Sequence, residues 1–113
     1  MKTKAVFHID EIEKWGLLLG NIKNLCAGIE IQNAEIEVLS NSVAVKCYMK
    51  KDNEYKDKME ELIRMGVQFC ACSNSLKNLR IESEDLYEFV IIVAIGVKEI
   101  IEKQQIGFAY IKP

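Results

Sequence analysis

Residues 67–79, Val67-Gln68-Phe69-Cys70-Ala71-Cys72-Ser73-Asn74-Ser75-Leu76-Lys77-Asn78-Leu79, decide the fold. The first five form a β-rich apolar run, and from Cys72 the Ser and Asn residues suit the opening of a short helix. A strand that runs straight into a helix is half of a parallel α/β repeat. Upstream, a helix expected from about Asn53 to Met65, with Tyr55, Met59, Leu62 and Ile63 inward, ends at Gly66. Before it, Ala34-Glu35-Ile36-Glu37-Val38-Leu39 alternates, with Ile36 and Val38 on one face and Glu35 and Glu37 on the other. That pattern predicts a strand with one wetter face, near a sheet edge. Ser40 or Asn41 then caps a short apolar piece, Val43 to Met49.

Further out, Lys4-Ala5-Val6-Phe7-His8-Ile9 reads as a first strand. Asp10 and Glu13 are spaced to cap and box the helix that follows. In that helix Ile12, Trp15, Leu18, Leu19, Ile22, Leu25 and Cys26 form one stripe, with Gly28 as a left-handed stop. Downstream, Ser83-Glu84-Asp85-Leu86 opens a turn, and the continuously apolar Phe89-Val90-Ile91-Ile92-Val93 predicts a central strand covered on both faces. Gly96 opens a last helix with Val97, Ile100 and Ile101 inward, and Gly107-Phe108-Ala109-Tyr110-Ile111 closes the chain as a fifth strand. No linker or repeat breaks this order. The expectation is one α/β domain over residues 1–113, with a largely parallel sheet and helices on both faces.

Composition agrees with one ordinary core. The 113 residues include 15 Lys plus Arg against 17 Asp plus Glu, half are apolar, and one is Pro. A chain this long buries roughly two thirds of the surface its unfolded form exposes. The net charge of −2 and a pI near 5.5 provide no basic field for phosphates, which argues against nucleic acid as a partner. The apolar start around Val6 and Phe7 stops at His8 and Asp10, too short for a secretory signal. Glu88 and Lys98 bracket the longest apolar window, well under a membrane span. A cytoplasmic protein with no membrane partner is expected, and in that reducing setting Cys26, Cys47, Cys70 and Cys72 are thiols.

In an open parallel sheet, ligands bind outside the carboxyl ends of the strands. That rule selects His8 and Asp10, Ser40 and Asn41, Cys70 to Ser75, and Ala94 to Val97. Cys72 is the nucleophile among them. At the turn into a helix its sulfur faces unpaired backbone N–H groups that favour thiolate, and the alternative reading is a small buried apolar residue. Cys70, two residues earlier on the same face, is core or a second, sulfur-handing thiol, and a Cys70–Cys72 bridge would need local distortion. Cys26 and Cys47 read as packing. His8 is a proton carrier beside the crevice or a hydrogen-bonded structural residue. The four Cys and one His lack the spacing of a zinc site, and Gly96 lacks the rest of a GxGxxG or P-loop pattern, so no metal or cofactor is expected. Lys50-Lys51-Asp52 and the charges at Lys98-Glu99 and Glu102-Lys103 read as solvated surface.

Several separated segments resemble the DsrE/DsrF-like family. They are Gly66-Val67-Gln68-Phe69-Cys70-Ala71-Cys72-Ser73-Asn74-Ser75-Leu76, the tail from Lys103 to Pro113, the opening Val6-Phe7-His8-Ile9-Asp10-Glu11, and Asn24-Leu25. The resemblance spans nearly the whole chain. It implies a three-layer α/β/α sandwich on a five-stranded, mostly parallel sheet, assembled as a homotrimer or homohexamer, or as a mixed hexamer in the sulfur-relay members; to this the residues themselves add Trp15, a core or subunit-contact residue, with Phe108 and Tyr110 as partly exposed anchors. It further implies a cysteine at the position of Cys72 that carries sulfane sulfur as a persulfide in the sulfur-relay members, with Asn74 and Ser75 lining the site. Where relatives often show a Gly-Val-Gly-Glu-like turn, this chain has Gly96-Val97-Lys98-Glu99. Two functions follow as expectations. One is a sulfur-relay or sulfurtransferase-like protein using Cys72, with Cys70, Ser73, Asn74, Ser75, His8, Asn41 and Gly96 as neighbours and sulfur donor and acceptor proteins as partners. The other is a non-catalytic oligomeric module that binds a small molecule or a partner.

Overall fold

In the computed structural model, which describes residues 2–113, strands and helices alternate. The order is β1 (Thr3–Ile9), α1 (Trp15–Ala27), β2 (Ala34–Ser40), α2 (Lys56–Arg64), β3 (Gln68–Cys72), α3 (Ser73–Asn78), β4 (Ile91–Val93), α4 (Gly96–Gln105) and β5 (Ala109–Ile111). Met1, which begins the sequence, lies outside the described residues. The strands form one sheet in the order β4-β3-β2-β1-β5, and every neighbouring pair is parallel. The expected α/β architecture with helices on both faces is what the chain adopts.

Handedness explains the layers. From β1 to β4 each crossover steps one strand the same way, and right-handed connections keep α1, α2 and α3 on one face. There Trp15, Leu18, Leu19 and Ile22 of α1, Met59 and Leu62 of α2 and Leu76 of α3 pack on Phe7, Ile9, Val38 and Phe69. The last crossover runs back past three strands to β5 on the far side of β1, so the same handedness sends α4 to the opposite face. On that face Ile100 and Phe108 meet Val6, Leu39 and Cys70. The apolar segment after β2 folds as a 3-10 helix, Ser42–Tyr48, and joins the larger core. Tyr48 donates to the Cys70 carbonyl at 3.0 Å, and the Trp15 indole donates to the Ala44 carbonyl at 2.9 Å, so both buried aromatics place their polar atoms.

Two strands exchange the places that their patterns imply. β2, expected near an edge, is the middle strand, and β4, expected at the centre, is an edge strand with Ile91 and Ile92 more than two-fifths exposed. The alternation in β2 is real, but α4 covers the face that carries Glu37. Likewise Val97 and Ile101 point outward, and only Gly96 and Ile100 of α4 are buried. Trp15 and Phe108 are core residues rather than exposed anchors, whereas Tyr110 is exposed. Asp10 does not cap α1, because its carboxylate pairs with Lys112 at 2.8 Å. Gly28 closes α1 at φ −103°, outside the left-handed region, while Gly66 and Gly107 do take left-handed turns after α2 and α4.

Burying Glu37 has a consequence for pH. Its Oε1 meets Lys103 Nζ at 3.5 Å, its residue exposure is 3 %, and Oε2 is buried without a conventional partner. Burial and the neighbouring Glu99 raise its pKa from 4.5 to about 7, against the pull of Lys103. A protonated Glu37 can donate to Glu99, which accounts for an oxygen that the ionised form would leave bare. The native state thus holds this proton more tightly than the unfolded chain does. The contribution is fully present below about pH 4.5 and is lost as the pH rises through about 7. Glu37→Gln keeps the shape without the charge. It is expected to gain about 1–3 kcal/mol relative to wild type above pH 7 and to flatten this slope, read from urea melts at pH 5 and pH 8. Parallel pH dependence in the two proteins would show that Glu37 does not hold the proton.

Candidate functional site

The two faces meet at one pair of strand ends. After β3 the chain turns into α3 on the larger-core side, and after the adjacent β4 it turns into α4 on the other. Neighbouring strands whose connections diverge leave a crevice at their carboxyl ends. Cys72, the last residue of β3, lies opposite Val93 of β4 and immediately precedes α3. The alternation of β3 turns Phe69 and Ala71 into the larger core and leaves Cys70 and Cys72 on the α4 face.

Contact with α4 is close because residue 96 is glycine. The Gly96 N–H donates to Cys72 Sγ at 3.3 Å. A Cβ added at Gly96 would lie 3.1 Å from Cys72 Cβ, 3.2 Å from Leu39 Cδ1 and 3.3 Å from the sulfur. Burial pushes the Cys72 thiol pKa up, but the amides of Ser75, Gly96 and Asn74 and the Ser75 hydroxyl outweigh it and hold the thiol below its ordinary 9.0. The sulfur makes no capping bond of ordinary length to α3, so the Ser75 and Asn74 amides act on its charged form across a longer reach. A thiol that is 5 % exposed and more acidic than usual differs from a packing cysteine, whose burial would leave it less acidic.

The other three cysteines follow the packing pattern. All four are free thiols. Burial raises Cys26, and burial with the nearby Asp52 and Glu54 pushes Cys47 up to about 12. Cys70 is raised further, by burial and by the Glu37 and Glu99 carboxyls. It sits in the small core beside Leu39 and Ile100, which supports its core reading.

The remaining expected neighbours divide into two groups. Asn74, Ser75 and Gly96 are brought to the sulfur, whereas Ser73 opens α3 and is not among the groups that act on it. His8 and Asn41 lie at the ends of β1 and β2. With Asn41 Oδ1 at 2.9 Å, His8 Nε2 carries the proton, and Nδ1 accepts from the Tyr110 hydroxyl at 2.7 Å. Ser42 was not among the residues the sequence singled out. Its N–H donates to Ser75 Oγ at 2.7 Å, and it stands at φ +54°. An Asn-Ser pair after a strand marks a turn, but nothing in the letters reveals that the serine takes the left-handed conformation. Among the described residues, no group of three or more His, Cys, Asp or Glu side chains is placed to hold a metal ion. No helix among them is long and apolar enough to cross a membrane.

The architecture is a doubly wound parallel sheet with Cys72 at its switch point. The DsrE/DsrF-like family profile matches residues 23–113, and the chain belongs to that family. The chain is similar to a solved structure described as a protein of unknown function, MTH1491 from Methanobacterium thermoautotrophicum. The two share 39 % identity over 99 % of this chain and all of the other, with a TM-score of 0.91. It also shares its fold with the ychN protein from E. coli, at 15 % identity over the full length of both chains and a TM-score of 0.79. No functionally curated protein matches the sequence.

The close approach at Gly96 is testable. Gly96→Ala must push the start of α4 away from Cys72 by a few tenths of an ångström, weakening the N–H···S contact. Iodoacetamide labelling of Cys72 near pH 7.5 is expected to slow roughly three- to tenfold, with the folded state retained. Wild-type labelling in a folded Gly96→Ala protein would mean that this amide does not stabilise the thiolate.

Proposed function

We propose that the protein is a sulfur carrier in which Cys72 accepts and passes on sulfane sulfur as a persulfide. The observation that carries the reading is the hydrogen bond from the Gly96 amide to Cys72 Sγ, at a crevice where further amides also favour the anion. Membership of the DsrE/DsrF-like family, in which sulfur relay is the suggested role, gives the same direction.

The step needs no oxidant. The Cys72 thiolate attacks the outer sulfur of a donor persulfide, Cys72–S⁻ + R–S–SH → Cys72–S–SH + R–S⁻. One S–S bond breaks, one forms, and the electron pair leaves on the donor thiolate. Delivery is the same exchange reversed onto an acceptor thiol. The amides that stabilise the thiolate as nucleophile also stabilise it as leaving group, which suits a carrier working in both directions. Donor and acceptor are proteins that present a cysteine to the crevice. The module reading, in which Cys72 is only part of a binding wall, gives no reason for the acidity of its thiol.

The carrier also works as a homo-oligomer, a trimer or hexamer, in this proposal. β4 is a short edge strand with Ile91 and Ile92 exposed, and Val97 and Ile101 leave α4 apolar on its outer side. A second copy of this chain covers that surface. Sedimentation at micromolar concentration is expected to show an oligomer, with Val97→Glu/Ile101→Glu shifting it toward monomer; a wild-type monomer would remove the assembly from the reading.

The carrier step itself is tested by intact-protein mass spectrometry after incubation with polysulfide, or with a cysteine desulfurase and cysteine. Wild type and Cys70→Ser are expected to gain one reductant-reversible sulfur, and Cys72→Ser none. Folded wild-type protein that takes up no sulfur at Cys72 would sink the carrier reading and leave the binding module.

A further inference from the structure

The segment after β2 begins in a costly backbone conformation. Ser42 is one of two non-glycine residues at positive φ among the described residues, and its +54° places an L side chain in a region it ordinarily avoids. Such an outlier persists only where its surroundings over-determine it. Here they do, from both sides. On one side the Asn41 amide donates to the Ile9 carbonyl at 3.1 Å, and the Asn41 carboxamide oxygen accepts from His8 Nε2 at 2.9 Å. The His8 ring is itself steadied by the Tyr110 hydroxyl on Nδ1. On the other side the Ser42 N–H, in the peptide plane that follows the tethered Asn41, reaches Ser75 Oγ at 2.7 Å.

A serine hydroxyl has one proton and two lone pairs. Once Ser42 supplies a donor to the oxygen, the proton of Ser75 is left free to point elsewhere. Ser75 stands three residues after Cys72, in the first turn of the helix that Cys72 leads into, where its hydroxyl favours the thiolate form of Cys72. An unclamped hydroxyl would rotate among water and backbone acceptors and spend part of its time away from the sulfur.

We propose that His8, Asn41 and Ser42 form a positioning assembly that fixes the Ser75 hydroxyl as a directed donor to the Cys72 sulfur. The role rests on the reading of Cys72 as the sulfur-carrying thiol. It gives His8 a use that is neither proton carrier nor inert packing, because its ring orients Asn41 and never touches the reacting atom.

The test is the pH profile of Cys72 alkylation by iodoacetamide, followed at the Cys72 peptide by mass spectrometry. Wild type is compared with Ser75→Ala, Ser75→Thr and Asn41→Ala. Ser75→Ala is expected to move the midpoint to higher pH and to slow labelling at pH 7 roughly three- to tenfold. Ser75→Thr, which keeps the hydroxyl, is expected to restore the wild-type midpoint. Asn41→Ala is expected to shift it in the same direction as Ser75→Ala by a smaller amount. A Ser75→Ala profile that superimposes on wild type overturns the proposal, as does an unshifted Asn41→Ala profile. Should Ser75→Ala fail to fold, the Asn41→Ala profile decides alone. Sulfur uptake, measured separately by intact mass, tests the carrier reading. Its failure alongside a shifted Ser75→Ala midpoint would leave the positioning assembly standing and remove only the function built on Cys72.

Discussion

The crossover from β4 back to β5 is the constraint on which the rest of the molecule depends. It passes three strands in the direction opposite to every earlier step, so its right-handedness places α4 alone on the second face. That one helix provides both the cover for the middle of the sheet and the amide that meets Cys72. Were β5 added beyond β4, α4 would join α1 to α3, and the ends of β3 and β4 would send their chains the same way. No crevice would open there, Glu37 would face solvent, and Cys72 would lie at the end of an ordinary strand. Gly96 is where this topology brings an amide to the thiol, since a side chain there would have to displace Cys72 and Leu39 by a few tenths of an ångström.

Cys70 and Cys72 show how much of a thiol's character is set by its neighbours. They lie on one strand, two residues apart, on the same face, and are almost equally inaccessible. Burial alone would raise both. Cys70 meets the Glu37 and Glu99 carboxyls, which add to the cost of ionising it, whereas Cys72 meets backbone N–H groups, which more than offset that cost. The difference comes from where each lies along β3. A strand interior offers only what packs on it, while a strand end entering a helix offers amides that the helix itself does not use.

Local signals in the sequence carried the elements well. Strand and helix alternation, the stripe from Trp15 to Cys26, the stop at Gly66 and the placement of Cys72 at a strand-to-helix turn were all legible, because each follows from short-range spacing. Strand order was not. Glu35 and Glu37 alternate as they would in a half-exposed strand, and nothing within residues 34–39 tells that α4, some sixty residues later, covers one of them. Glu35 remains exposed and pairs with Lys2 at 3.3 Å, while Glu37 is buried. The apolar run around Ile91 misleads in the opposite sense. An edge strand with exposed isoleucines and a central strand with buried ones read alike, since periodicity records how apolar a face is and not what covers it. The family resemblance drew attention to Cys72, but not to the left-handed turn at Ser42, whose contacts with β1 and α3 no local window contains.

Helix α4 carries two demands that pull against each other. Few of its residues are buried, so its position depends on the close approach of Gly96, the packing of Ile100 and the link from Lys103 to Glu37. A helix so lightly held is poorly suited to fix an amide to within a few tenths of an ångström beside a sulfur. Val97 and Ile101 leave its outer side apolar, and in the proposed oligomer a second copy covers that side. A subunit seated there would press on the same helix whose first amide reaches Cys72, so self-association and thiol acidity would be coupled through one element. The carboxyl of Glu37 enters this balance from beneath, since its protonation near neutral pH alters the ion pair that ties Lys103 to the sheet. The acidity of Cys72 then depends on α4's seating on the sheet, whereas Cys70, on the same face two residues away, meets carboxyls in place of amides.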